Sequence, residues 1–473
     1  MSQMQKNNIF YAYLGLLIWL PIPLGSKHPW AVSIAEVWCF SLAIFSLVSC
    51  FRHGVVLPQA FRVARPALFL LALNLAWLIF QCLPLPISLL TLLSPHAAAL
   101  QQLNDASVAM ASISLDRHAT WLDVVEASYL FTFFCLTLYV IDSKQKIRIL
   151  VYVIVLSALA QAVYGAFMIL SGTEYAFFVS KADINSHIGS ATGTFTNRDH
   201  LAGYLEMALA LGIGYMLSMM NDAGSLGGWK VWLRKWSDIL LGSKARLRLI
   251  LILLCLGLVL THSRGGNIGF FTSLPIAGVV FMLFARKKPR ATVIFLSSII
   301  LLDILLMGSW VGVSKVMTRL ENTSIQTEQR DDVYAATLPL IQDYWLTGTG
   351  AGTYFETFPT YKTSSLSGYW NHTHNDYLEI LAEQGVIGFG LLASVVLFAL
   401  FIIVQTLRRQ RSSLALGMSF GSLMGIVALL VHSAVDFNLQ ILANSSLFML
   451  LLALPMIFRC LNTKVREVLI NSE

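Results

Sequence analysis

The chain has 473 residues, of which 56% are hydrophobic and 12% charged, and its mean hydropathy is +0.70. A soluble globular chain carries roughly 25% charged residues, so a cytosolic enzyme, a disordered chain and a fibrous chain are all excluded at the outset. The formal net charge of +7 would point to nucleic acid in a soluble protein. In a membrane protein the side of the bilayer on which each charge falls matters more than the total, and no nucleic-acid partner is expected.

A hydrocarbon core about 30 Å thick needs ~20 mostly apolar helical residues. Applied in chain order, that rule gives twelve segments at 9–25, 31–51, 66–86, 123–141, 147–170, 200–220, 247–263, 267–284, 291–309, 376–406, 413–433 and 439–459. Ile9–Gly25 is read as an uncleaved first span, because no small-residue cleavage site follows it. The expectation is a single all-α, polytopic integral membrane domain over 1–473 with about twelve transmembrane helices. The seventh segment is short and the tenth long, which leaves room there for tilt or partial re-entry. The six cysteines form no CxxC and lie within or beside apolar runs, against both a disulfide framework and a cysteine zinc site.

The loops set the orientation. With the N-terminus in the cytoplasm, 23 of the 32 Lys and Arg residues fall on the cytoplasmic side against five acids, Asp142, Asp222, Asp238, Glu467 and Glu473. The other nine face twenty acids. Every cytoplasmic loop is basic, as the positive-inside rule requires, so both termini are expected in the cytoplasm. The loop 221–248 interleaves Trp229, Trp232 and Trp236 with Lys230, Arg234 and Lys235, a pattern for an amphipathic helix on the inner leaflet. On the external side two connections are long, 87–122 and 310–375, and long irregular segments on a helical scaffold often carry function.

Four polar clusters stand out, all at external ends: 193–200 (GTFTNRDH), 261–266 (THSRGG), 329–332 (QRDD) with 348–352 (GTGAG), and 371–379 (NHTHNDYLE). Arg198 and Arg264 sit where basic residues are scarce. A guanidinium at a helix end beside glycines fits a phosphate clamp, and snorkelling to the interface or pairing with an acid is the plainer alternative. Asp376 and Glu379 have the spacing of a capping-box variant, which starts a helix near Asn375 or Asp376 and leaves His374 projecting before it. His374 there is a candidate base for a hydroxyl nucleophile or a diphosphate-orienting group. Asp376, Glu379 and Glu383 share one helical face and are candidates to position His374 or a basic partner. His372-x-His374 could instead ligate a metal or be structural. Gly348-x-Gly-x-Gly352 lacks a strand–helix setting and reads as a loop turn rather than a nucleotide fingerprint. Asp303 and Glu206 are the notable acids toward span interiors.

These stretches resemble the O-antigen ligase and O-antigen polymerase superfamily of bacterial envelope glycosyltransferases. The likeness is carried by GTFTNRDHLAGYLE (193–206), THSRGG (261–266), residues 329–361 and HTHNDYLEILAEQGVIG (372–388), within 190–390. The resemblance implies a GT-C-like enzyme with a large periplasmic loop over 310–375, in the bacterial inner membrane. It would use an undecaprenyl-diphosphate-linked glycan on the periplasmic face, with no cofactor or metal. The acceptor would be a glycan, or lipid A core if the protein is a ligase. By the same resemblance Arg198, Arg264 and Arg330 hold the diphosphate and His374 is catalytic, paired with Asn375. Asn197, His200, Ser263, His372, Asp376 and Glu379 are expected in support. The common Asn-x-Asn-His pattern reads Asn197-Arg-Asp-His200 here. A polymerase is slightly favoured over a ligase; a transporter or flippase of lipid-linked glycans is the reading from a different class.

Overall fold

The computed structural model describes residues 3–53, 57–176, 178–181, 187–220, 242–286, 325–364 and 366–461, with 288, 293, 294, 297 and 298. The protein is an all-α polytopic membrane protein. Fifteen helices are formed by the described residues, numbered here in chain order. The long helices of the first half are α1 (Gln3–Trp19), α2 (Pro29–His53), α3 (Gln59–Cys82), α6 (Arg117–Val140), α7 (Lys144–Ser171) and α8 (Arg198–Ser218). Those of the second half are α9 (Ser243–Leu260), α10 (Arg264–Phe284), α13 (Asp376–Arg409), α14 (Ser413–His432) and α15 (Leu442–Cys460). Shorter helices in the connections are α4 (Ile87–Leu93), α5 (Pro95–Asn104), α11 (Ile325–Asp343) and α12 (Tyr354–Thr357).

Eleven of the twelve expected segments are thus helical. The ninth, 291–309, lies largely outside the described residues together with Asp303, and so does the expected interfacial helix up to residue 241. The last residues of that loop belong to α9. Nine of the described helices are long and apolar enough to cross a membrane. The helix α1 has only 17 residues, and α9 carries Lys244, Arg246 and Arg248 in its first two turns.

Several boundaries move from their expected places for local reasons. Helix α6 starts at Arg117 rather than 123, because the Asp116 carboxylate caps it by accepting from the His118 and Ala119 N–H groups at 2.8 and 3.2 Å. Helix α3 runs through Pro66 from Gln59 rather than starting there.

Helices α8, α14 and α15 are buried along nearly their whole length and form the centre of the bundle. Gly214 meets Gly417 and Gly421 backbone to backbone between α8 and α14, the small-residue packing that lets membrane helices approach closely. A second, smaller core lies outside the bundle. Leu85, Leu90, Ala97 and Ile113 from the first long connection pack on Val333, Leu340, Tyr354 and Phe358 from the second. A two-residue antiparallel pair, β1 (Leu85–Pro86) with β2 (Met110–Ala111), closes the first connection, so both connections form one cap over one end of the bundle.

The length of α13 is resolved by a break at Gly385, whose φ and ψ are 64° and −172°. The freed Val386 N–H donates to the Trp345 carbonyl at 2.9 Å, and the Thr349 and Gly350 N–H groups donate to the Ala382 and Glu383 carbonyls, each at 2.9 Å. The 348–352 glycines therefore form a loop turn that docks on the kink, as the sequence reading preferred. A Cβ at Gly385 would come within 2.3 Å of the Leu346 carbonyl oxygen as well as forcing an L residue into positive φ. Gly385→Ala is expected to destabilise the protein by more than ~1 kcal/mol, read as a lowered melting temperature in detergent.

Candidate functional site

The site is built where the capped ends of α8, α10 and α13 meet the connection between α14 and α15. Each helix starts with a cap that fixes where its first side chains point. The Asn197 carboxamide oxygen accepts from the Asp199 N–H at 2.8 Å at the head of α8. The Ser263 hydroxyl accepts from the Gly266 N–H at 3.1 Å at the head of α10. At α13 the cap is Asn375, which accepts from the Tyr377 and Leu378 N–H groups at 3.0 and 3.2 Å. Arg198, Arg264 and Asp376 are consequently the first residues of their helices.

Glu379 is not the capping-box partner that its spacing suggested. Its carboxylate turns back past the helix start, takes the Thr373 N–H at 2.9 Å and lies 2.7 Å from His372 Nδ1. Asp376 accepts from the Leu439 N–H at 3.2 Å, and Glu383 accepts from the Tyr354 N–H at 3.0 Å. None of these three acids makes a hydrogen bond or ion pair with His374 among the described residues; the histidine that this face engages, through Glu379, is His372.

The partner of His374 is Asp436, a residue the sequence reading passed over. Its Oδ1 lies 3.3 Å from His374 Nδ1, and its Oδ2 lies 3.8 Å from His200 Nε2. The carboxylate is almost wholly buried while the His374 side chain is 21% exposed, so the imidazole faces outward and its anchor does not. Burial alone would raise the pKa of Asp436. The hydrogen bond with His374 and the neighbouring His200 and His432 outweigh that and hold it well below the usual carboxylate range. A signal did exist: an acid within VDFN between two apolar spans is a functional candidate by its setting alone.

His374 also has φ of +56°, a conformation uncommon for a residue with a side chain. It is held there from both sides. The Tyr334 hydroxyl donates to the His374 carbonyl at 2.8 Å, and the Asn375 amide donates to the Ala434 carbonyl at 2.9 Å. The Phe437 ring fills the space between the histidines, with centroids 4.7 Å from His200, 4.3 Å from His372 and 4.7 Å from His374.

One of the arginines contacts the same connection directly. Arg330, on α11 one turn before Tyr334, donates to the Val435 carbonyl at 3.2 Å. Arg264 is exposed and makes no hydrogen bond or ion pair among the described residues. The residue after it, Gly265, packs so closely that a Cβ would come within 2.6 Å of the His432 ring and 2.8 Å of Val435. Arg198 donates to the Ser190 hydroxyl at 3.4 Å, and its Nε is buried without a partner among the described residues. Ser190 also lies 3.5 Å from His262 Nδ1, which links the 193–200 and 261–266 clusters. Behind them, Glu206 and His432 form a fully buried pair at 3.2 Å between α8 and α14.

Each histidine of His372-x-His374 is turned to its own carboxylate rather than to a shared point. Among the described residues no three His, Cys, Asp or Glu side chains are grouped to hold a metal ion.

Fold and site together define a multi-pass helical membrane protein with an imidazole–carboxylate pair and several arginines at the capped end of its bundle. Residues 249–393 match the family model described as O-Antigen ligase. The match covers 145 of the 473 residues, so this stretch of the chain is similar to the O-antigen ligase family. The matched stretch holds Ser263, Arg264, Arg330 and the whole His372–Glu379 segment, while Asn197, Arg198, His200 and Asp436 lie outside it. No curated protein matches the chain.

The depressed pKa of Asp436 carries a consequence for stability. The carboxylate binds its proton less readily folded than unfolded, so its contribution is complete above the unfolded value, near 3.9, and is lost as pH falls below it. Asp436→Asn is therefore expected to melt with a shallower pH dependence than the parent below about pH 4, measured by thermal unfolding in detergent.

Proposed function

We propose that this protein is a bacterial inner-membrane glycosyltransferase with both termini cytoplasmic and its site on the periplasmic face. It takes an undecaprenyl-diphosphate-linked oligo- or polysaccharide as donor and transfers the glycan to a hydroxyl of an acceptor glycan. We read it as a polymerase, whose acceptor is another lipid-linked repeat, rather than a ligase acting on lipid A core. The observation that carries the reading is the outward-facing His374, anchored by buried Asp436 beside Arg330 and the Arg264–Gly265 helix start. The strongly basic loops at the opposite end support the orientation.

In this reading Asp436 holds His374 Nδ1, which leaves Nε2 as the basic nitrogen. His374 takes the proton of the acceptor hydroxyl as its oxygen bonds to the anomeric carbon of the donor. The bond from that carbon to the diphosphate oxygen breaks, and the lipid diphosphate leaves with the electron pair. Arg198, Arg264 and Arg330 balance the charge that develops on it. Attack opposite the leaving group inverts the anomeric carbon. Asn197 and Ser263 act through the caps that aim the first two arginines, and Asn375 through the cap that fixes His374. A transporter would place its distinctive polar residues near the bilayer midplane, whereas these cluster at one end under a cap.

The test uses lipid-linked donor extracted from host cells that lack the chain, and the detergent-purified full-length protein. Transfer is expected to fall about 10²-fold or more in His374→Ala and in Arg264→Ala. Near-parental rates in both would sink the proposal. In cells, deletion is expected to collapse a polysaccharide ladder to single repeats; accumulation of free lipid-linked polymer would instead indicate a ligase.

A further inference from the structure

The protein contains two imidazole–carboxylate pairs on one aromatic platform, and the reaction above uses only one. His372 Nδ1 is bound to Glu379 at 2.7 Å, and the carboxylate is fixed in turn by the Thr373 N–H at 2.9 Å and the Thr373 hydroxyl at 3.2 Å. The His372 side chain is 24% exposed and its carboxylate 2%, nearly the same division as His374 and Asp436. The Phe437 ring stacks flat under His372, at an interplanar angle of 20°, and meets His374 edge-on at 77°. Both Nδ1 atoms are therefore occupied by carboxylates, and both Nε2 atoms are left for a ligand over the same ring.

An imidazole that gives its Nδ1 proton to a carboxylate offers a lone pair at Nε2, which accepts a hydrogen bond from a hydroxyl. Two such acceptors side by side fit a molecule that presents two neighbouring hydroxyls, as a pyranose ring does. The Lys27 ammonium lies 5.5 Å from the Phe437 centroid. The three arginines belong to α8, α10 and α11, whereas His372 and Lys27 come from the segment before α13 and the turn before α2.

We propose that His372, held by Glu379, forms the acceptor subsite. It accepts a hydrogen bond from the hydroxyl next to the one that His374 deprotonates, and so selects an acceptor sugar with a free neighbouring hydroxyl. This rests on the transfer reaction proposed above. His372 is a specificity-determining contact, not a second base.

The experiment measures kcat and KM separately for donor and acceptor, using lipid-linked repeat extracted from host cells as donor, the same repeat freed of its lipid by mild acid as acceptor, and the full-length protein in detergent. Acceptor-independent hydrolysis of the donor serves as a further readout. His372→Gln is expected to raise acceptor KM about tenfold, the loss of one hydrogen bond, with donor KM and donor hydrolysis unchanged. Glu379→Gln keeps a hydrogen-bonding group beside Thr373 and is expected to move acceptor KM in the same direction by less. A melting curve for each variant separates these effects from misfolding, and Glu379→Gln carries the test if His372→Gln fails to fold. The proposal is overturned if the folded variants lose kcat like His374→Gln at unchanged acceptor KM, shift donor KM instead, or leave every constant at its parental value. Full transfer by both His374→Gln and Arg264→Ala would overturn the reaction itself, an outcome visible without any His372 variant.

Discussion

The buried carboxylate of Asp436 is the constraint on which the rest of the site depends. A carboxylate removed from water is stable only when its charge is met by hydrogen bonds and partners of opposite sign. Around Asp436, His374 bonds from just before α13 at 3.3 Å, Asn438 donates at 3.4 Å, and His200 of α8 lies 3.8 Å away, so its surroundings come from stretches far apart in sequence. Satisfying one acid thus sets the distance between two helix starts. The positive φ of His374, unfavourable by itself, is held by the hydrogen bonds of Tyr334 and Asn375 around it.

The same reasoning extends to the connection that carries Asp436. Between α14 and α15 the α-helical hydrogen bonding is interrupted, with a single 3-10 turn at Asn438–Gln440, and an end of a membrane helix cannot leave its polar groups unpaired. Here the carbonyls of Ser433, Ala434 and Val435 are taken by the Asp376 N–H, the Asn375 amide and Arg330 respectively. Three successive carbonyls thereby bind two of the recognised motifs, and Gly265 closes on His432 and Val435 to bring in a third. The 193–200 cluster joins through His200, whose carbonyl accepts from the Asn444 carboxamide at 2.9 Å. A short loop between two apolar helices is the hub of the polar site.

Much of this was legible in the sequence because the signals are local. Apolar runs of ~20 residues locate helices whatever their neighbours, and a helix start beginning Asn-Arg, Ser-Arg or Asn-Asp announces its own cap. What pairs with what is a tertiary matter. Asp436 is 62 positions from His374, and no spacing rule connects them. Glu379 satisfies a local capping rule yet is drawn away, because the chain before the helix offers it an imidazole and an N–H group at better geometry. The kink at Gly385 was equally hidden. A glycine inside a long apolar helix is unremarkable until a loop from elsewhere, here 345–350, supplies the hydrogen bonds that replace the broken ones.

The central claim is that Asp436 acts through His374 in the proposed transfer. A double-mutant cycle in kcat with Asp436→Asn, His374→Gln and the combined variant measures that coupling directly. The account predicts that each single change lowers kcat and that the combined variant is no slower than His374→Gln alone, since a carboxylate has nothing to orient once the imidazole is gone. Fully additive losses would contradict it and would make Asp436 a group that acts independently of His374.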